Sequence, residues 1–172
     1  MSARPILYSF RRCPYAMRAR MTLLYAGIEV RLREVILKDK PAAMLAASSK
    51  GTVPVLVQSD GTVIDESRDI MRWALNQNDP AGWLECADGD NLLVDRCDNE
   101  FKHWLDRYKY AVRFPEHDEG WYRQQGEQFL AQLEIRLSQW QYLTGASLSV
   151  VDVAIAPFVR QFASVDSPWW SE

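Results

Sequence analysis

Three short stretches combine residue types that could do chemistry. The first is Arg12-Cys13-Pro14-Tyr15-Ala16-Met17, where one cysteine follows the apolar run Pro5-Ile6-Leu7-Tyr8-Ser9-Phe10 and precedes a helical pattern. A thiol at a helix start meets free backbone N–H groups and the positive end of the helix dipole. Both favour the thiolate, which is the nucleophilic form. Arg11 and Arg12 add positive potential. A redox dithiol needs a second cysteine, and position 16 is alanine, so a working Cys13 must draw its second sulfur from elsewhere. The alternative is a small, inert core cysteine. The second stretch is Val53-Pro54. Proline in an apolar strand removes a ladder donor. It is either an ordinary edge-strand proline or a cis bond that turns the Val53 backbone away from the sheet, toward an extended peptide ligand. The third is Asp65-Glu66-Ser67, opening a helix. A serine at a helix N-terminus can receive a carboxylate, and Glu66 can accept from an amine. Together they could hold both ends of an amino acid, or form a plain helix cap.

The elements that position these residues follow from periodicity and punctuation. Ile6 to Phe10 reads as a buried strand. Pro14 to Ala26 reads as a helix, with Met17, Met21 and Leu24 on one stripe, proline in the first turn and Gly27 as the stop. Val30 to Val35 is a second strand near an edge, and Pro41 to Ala47 a short helix. The runs 52–57 and 62–64 flank Ser59-Asp60-Gly61, a hairpin signal. Glu66 to Asn76 is a third helix. The order β-α-β-α-β-β-α occupies residues 1–78. Residues 79–89 read as a linker and 90–172 as helical.

In the second half, Leu93, Cys97, Phe101, Trp104 and Tyr108 form one helical stripe, and Tyr122, Phe129, Leu133, Leu137 and Trp140 another. Ser149 and Asp152 have capping-box spacing before a helix apolar almost all round. Pro157 inside that helix should remove one hydrogen bond and kink it.

Composition narrows the function classes. The chain has 172 residues and a net charge of −3, with no basic run that would suit nucleic acid. No stretch approaches the roughly 18 apolar residues of a membrane span, and the first residues lack a signal-peptide core. A cytoplasmic location is expected. Three irregularly spaced cysteines make no disulfide framework. Cys86 and Cys97 read as structural, since neither has an electropositive helix-start context. His103 and His117 lack partners at metal spacing, so no metal is expected. Arg11, Arg12, Arg18 and Arg20 read as a solvated helix face, with Arg11 or Arg12 able to help an anionic ligand.

The combination is more specific than its parts. CPYA, then VPVL with Val53 forty residues after Cys13, then ESRDI resembles the Cys-type, omega-like glutathione transferases. The segment SVVDVAIAPFVRQF is similar to that family's capping-box helix. The resemblance implies a thioredoxin-like α/β domain followed by an all-α domain, shortened at the C-terminus, with glutathione as co-substrate. By position, Cys13 would be the nucleophile and Tyr15 would line the site. The Val53 backbone before cis-Pro54 would bind the cysteinyl moiety, and Glu66 and Ser67 the γ-glutamyl group. Lys40 would reach the glycyl carboxylate, and Trp104 and Tyr108 could line a co-substrate pocket. Glutathione then supplies the second sulfur, which suits a thioltransferase or dehydroascorbate-reductase type of activity on a small disulfide. Conjugation to an electrophile and a non-catalytic binding or scaffold role are the alternatives, and a homodimer is common in the family. Two departures stand out. Ser48-Ser49-Lys50-Gly51 replaces a common Asn-Pro before Val53, and the sequence stops soon after the buried helix. That leaves a partner surface or an incomplete chain, while a dimer or the terminal Trp169-Trp170 pair could cover some of the helix.

Overall fold

The computed structural model describes residues 4–85 and 91–171. The chain divides into two compact units, Met1–Ala81 and Gly82–Glu172. The expected linker 79–89 straddles this division, and its residues 86–89, Cys86 among them, lie outside the described residues.

The first unit is a four-stranded sheet in the order β2-β1-β3-β4, with β1 Ile6–Ser9, β2 Arg31–Glu34, β3 Val55–Val57 and β4 Val63–Ile64. β2 runs parallel to β1, β3 runs antiparallel to β1, and β4 runs antiparallel to β3. The parallel pair needs a crossover, and α1 (Pro14–Tyr25) supplies it. Side chains alternate between faces, as the period of two requires. Leu7 and Leu56 meet Ala19 and Leu23 of α1 and Ile70 and Ala74 of α3 (Ser67–Gln77). Tyr8 and Val55 meet Met44 of α2 (Ala42–Ala47) on the other face. This is the expected thioredoxin-like arrangement, with β2 at the edge.

The buried face of α1 is not its methionine stripe. Ala16, Ala19 and Leu23 face inward, while Met21 and Leu24 are 39% and 82% exposed. With Met17, Ile28 and Leu32 they line an apolar groove of about 820 Å³. Small residues let the helix approach the sheet closely, and bulkier methionines would hold it off.

The second unit is helical: α4 Asn91–Arg96, α5 Lys102–Lys109, α6 Glu119–Leu137, α7 Val150–Ala163 and α8 Ser167–Trp170. A π-helical turn, Cys97–Phe101, joins α4 to α5. Its extra residue per turn shifts the helical phase. Leu105 therefore replaces Trp104 in the buried stripe of Leu93, Cys97, Phe101 and Tyr108. The second stripe also ends early. Tyr122, Phe129 and Leu133 are buried, but Leu137 closes α6 and Trp140 lies beyond it, 44% and 56% exposed. Phe101 stacks on Phe129 at 4.8 Å between centroids, and Phe162 packs beside Phe101 and Tyr108 at 5.4 and 4.9 Å. The capping box is formed. The Ser149 amide donates to Asp152 Oδ2 at 3.0 Å, and the Val151 amide donates to Ser149 Oγ at 3.2 Å. Pro157 is buried inside α7. Trp169 and Trp170 fold back to within 6.3 and 6.4 Å of the Phe162 ring.

Candidate active site

The site lies in the first unit, where three chain segments meet. Cys13 is the N-cap of α1, with extended backbone angles (φ −76°, ψ 122°) and Pro14 in the first turn. Its carbonyl accepts from the Met17 amide at 2.9 Å, and its own amide donates to Phe10 at 3.1 Å. The sulfur is half-buried and lies 3.8 Å from the Val53 carbonyl oxygen. The Val53–Pro54 bond is cis. The first amides of α3, which begins at Ser67, have no intrahelical acceptors.

A cleft of about 390 Å³ is lined by Tyr15, Val53, Pro54, Glu66 and Ser67, all expected from the sequence. Lys50, Thr52 and Asp65 complete its wall. Lys40, also expected, is not among the lining residues; its Nζ sits 3.7 Å from where a β-carbon on Gly51 would lie, and Gly51, next to the lining residues Lys50 and Thr52, has the left-handed φ of +62°. Trp104 and Tyr108 belong to the second unit. Trp104 is half-buried, edge-on to Trp121 at 5.7 Å, and Tyr108 is core.

Two arginines read as solvated are structural parts of the site. Arg18 is 1% exposed, the largest fully buried side chain described. Its Nε donates to Ser67 Oγ at 3.1 Å, and its guanidinium lies over the Tyr15 ring at 5.1 Å. With Ser67 Oγ accepting from Arg18, its own proton is left to donate into the cleft. Arg20 donates to Ser9 Oγ (2.5 Å), the Phe10 carbonyl (3.3 Å) and the Arg11 carbonyl (2.9 Å), fastening the turn that carries Cys13. Burial pulls the Arg20 guanidinium below its ordinary pKa, against the opposing pull of Glu34 and of the Cys13 sulfur.

The acidic end is tied across the cleft. Asp65 accepts from Ser48 Oγ at 2.6 Å and from Lys50 Nζ at 3.0 Å, and Lys50 also reaches Glu66 Oε1 at 2.5 Å. The Ser48 bond, then Lys50, holds the Asp65 carboxyl below its usual range. The Lys50 ammonium is raised, first by Glu66 and then by Asp65.

Residues 7–82 match the glutathione S-transferase N-terminal domain, and residues 102–172 match the glutathione S-transferase C-terminal domain. The chain belongs to the glutathione S-transferase superfamily. Glutathione is that family's co-substrate. Among curated proteins, the chain is similar to glutathione S-transferase omega-1 of Mus musculus, 39% identical over 61 residues, 36% of this chain and 25% of that protein. It also resembles glutaredoxin 2 of Escherichia coli K12, 28% identical over 99 residues, 58% of this chain and 41% of that one. The matched segments thus span less than half the length of either relative. A glutathione S-transferase structure from Pseudomonas fluorescens Pf-5 superposes with a TM-score of 0.79 at 18% identity, covering 98% of this chain and 90% of that one. The shared fold is the two-unit arrangement described above.

Among the described residues no group of three or more His, Cys, Asp or Glu side chains could hold a metal ion. His117 stacks on Trp121 at 3.7 Å, and His103 lies edge-on to Trp104 at 4.5 Å. No described helix is long and apolar enough to cross a membrane.

Proposed function

We propose that this protein is a glutathione-dependent thioltransferase of the reducing cytosol, working on small disulfides that contain glutathione. The observation that carries the reading is Cys13, a lone half-buried thiol at the N-cap of α1, 3.8 Å from the backbone oxygen of a cleft-lining residue. The Cys13 thiolate attacks the glutathione sulfur of a mixed disulfide. The old S–S bond breaks, the substrate leaves as its thiolate, and Cys13 carries glutathione. A second glutathione thiolate attacks that disulfide, releases oxidised glutathione and restores Cys13. The Val53 backbone pairs with the cysteinyl moiety, Glu66 and Ser67 hold the γ-glutamyl group, Tyr15 lines the site and Lys40 takes the glycyl carboxylate. The partial likeness to a protein named glutaredoxin 2 supports disulfide chemistry over conjugation.

The test is intact mass after exposure to oxidised glutathione, for wild type and Cys13→Ser. One adduct in wild type, absent from the variant and removed by reduced glutathione, is expected. No adduct, or one that persists in the variant, removes Cys13 from the chemistry. Product from a model electrophile that survives Cys13→Ser would point to conjugation instead.

A further inference from the structure

We propose that Lys50 is an intramolecular competitor for the ammonium group of glutathione, holding the carboxylate of Glu66 that the ligand needs. The inference rests on the binding roles proposed above for Glu66 and Ser67. Lys50 stands in the wall of the cleft, and its Nζ bridges Glu66 Oε1 (2.5 Å) and Asp65 Oδ1 (3.0 Å). One cation thus spans two adjacent carboxylates at the start of α3.

The loop that carries Lys50 is fixed. Ser48 Oγ donates to Asp65 at 2.6 Å, and Gly51 takes a left-handed turn that a side chain would strain. The reach of Lys50 is therefore set by the fold. Asp65 gives the ammonium a second partner, so the exchange needs no bare charge. Lys50 lets go of Glu66, keeps Asp65, and the ligand ammonium takes the vacated carboxylate oxygen. Lysine, both carboxylates and the ligand ammonium then balance to zero, which favours an ammonium-bearing ligand even against the competitor. A ligand without that ammonium leaves the Lys50–Glu66 pair intact and loses nothing to it. Lys50 therefore lowers the discrimination between ligands with and without an α-amino group, and loosens the hold on glutathione during turnover.

The side chain of Lys50 is 46% exposed and that of Glu66 60%, so the competition has the size of a surface ion pair. Removing it should change affinity about threefold to fivefold, and less at high salt.

The experiment measures Kd by calorimetry for S-methylglutathione and for its glutaryl analogue, in which hydrogen replaces the α-amino group. Neither can form a disulfide with Cys13. Wild type, Lys50→Met and Lys50→Gln are compared. The ratio of the two affinities removes every effect common to both ligands and leaves the response to the α-ammonium group, in the manner of a double-mutant cycle. The expected result is a preference for the amino-bearing ligand that rises about threefold to fivefold in both variants and shrinks as salt is added. An unchanged or lower preference overturns the role of Lys50 and leaves the proposed glutathione site standing. If wild type binds neither ligand, the site and the inference fail together.

Discussion

Gly126 lies inside α6, facing Phe162 of α7, and the substitution Gly126→Ala measures how rigid that contact is. A β-carbon built on Gly126 falls 2.5 Å from Phe162 Cε2, 3.2 Å from Cζ and 3.4 Å from Cδ2. Carbon atoms pack best near 3.5–4.0 Å, so the nearest contact is short by about 1 Å. The ring has little room to yield. It is fully buried, with Phe101 and Tyr108 on one side at 5.4 and 4.9 Å and the terminal tryptophans at 6.3 and 6.4 Å. Overpacking of this kind costs about 1–3 kcal/mol. Alanine in a helix interior regains about 0.8–1 kcal/mol over glycine. With the ring boxed in, the upper part of the overpacking range applies, and the net loss should be about 1–2 kcal/mol. In a chain of this size that lowers Tm by roughly 2–8 °C. Urea and thermal unfolding followed by far-UV circular dichroism would measure it. Adding Phe162→Leu should make the alanine less costly, because the shorter side chain vacates the ring position. A Gly126→Ala variant as stable as wild type, or more so, would show that the helices or the ring move freely, and the packing argument would be wrong.

Two further outcomes follow from the polar groups. Asp65 is held below the usual carboxylate range in the fold, so its tether to Ser48 and Lys50 is fully present above its unfolded pKa of about 3.9 and is lost as pH falls through the lower folded value. The stability gap between wild type and Asp65→Asn should be level from about pH 5 to 7 and close on acidification; a gap that widens toward low pH contradicts the tether. The Tyr108 hydroxyl is buried with no hydrogen bond of ordinary geometry among the described residues, and burial raises its pKa against the opposing pull of nearby Arg123. Tyr108→Phe should leave stability unchanged or raise it by up to about 1 kcal/mol in urea unfolding, and a clear loss would reveal a bond that the hydroxyl makes.

The parts of the site that were legible in the sequence are those marked by local chemistry. Cys13 sits between an apolar run and a proline at a helix start, and Ser67 begins the next helix. Pro54 stands in an apolar run just ahead of β3, and Ser149 carries its own capping partner three residues on. Each signal lies within a few residues of the feature it marks. The fold was legible for the same reason, since the apolar runs of β1 and β3 and the Ser59-Asp60-Gly61 turn are local facts. The π-helical turn carries no such mark. It put Leu105 where a regular 3.6-residue repeat puts Trp104.

Arg18 shows why the remainder was hidden. On α1 two stripes compete: Met17, Met21 and Leu24 against Ala16, Ala19, Leu23 and Ala26. Hydropathy favours the first and close packing selects the second, which turns the helix so that Arg18 and Thr22 point inward beside the alanines. A charged side chain becomes tolerable there because Ser67, forty-nine positions later, accepts a hydrogen bond from its Nε and Tyr15 covers its plane. Tyr15 lies one turn back on the same helix, but Ser67 arrives only when α3 docks, so the arginine looks like ordinary helix surface in one dimension. The small-residue stripe was the available signal, since a helix that buries alanines brings their neighbours in with them. Lys50 is the same case at longer range. Its partners lie fifteen and sixteen residues away across a hairpin, and charge pairing at that separation leaves no period to read. Most of the residues that line the cleft could thus be read from the sequence, while the pairings of Arg18 and Lys50 with them became visible only when the segments met.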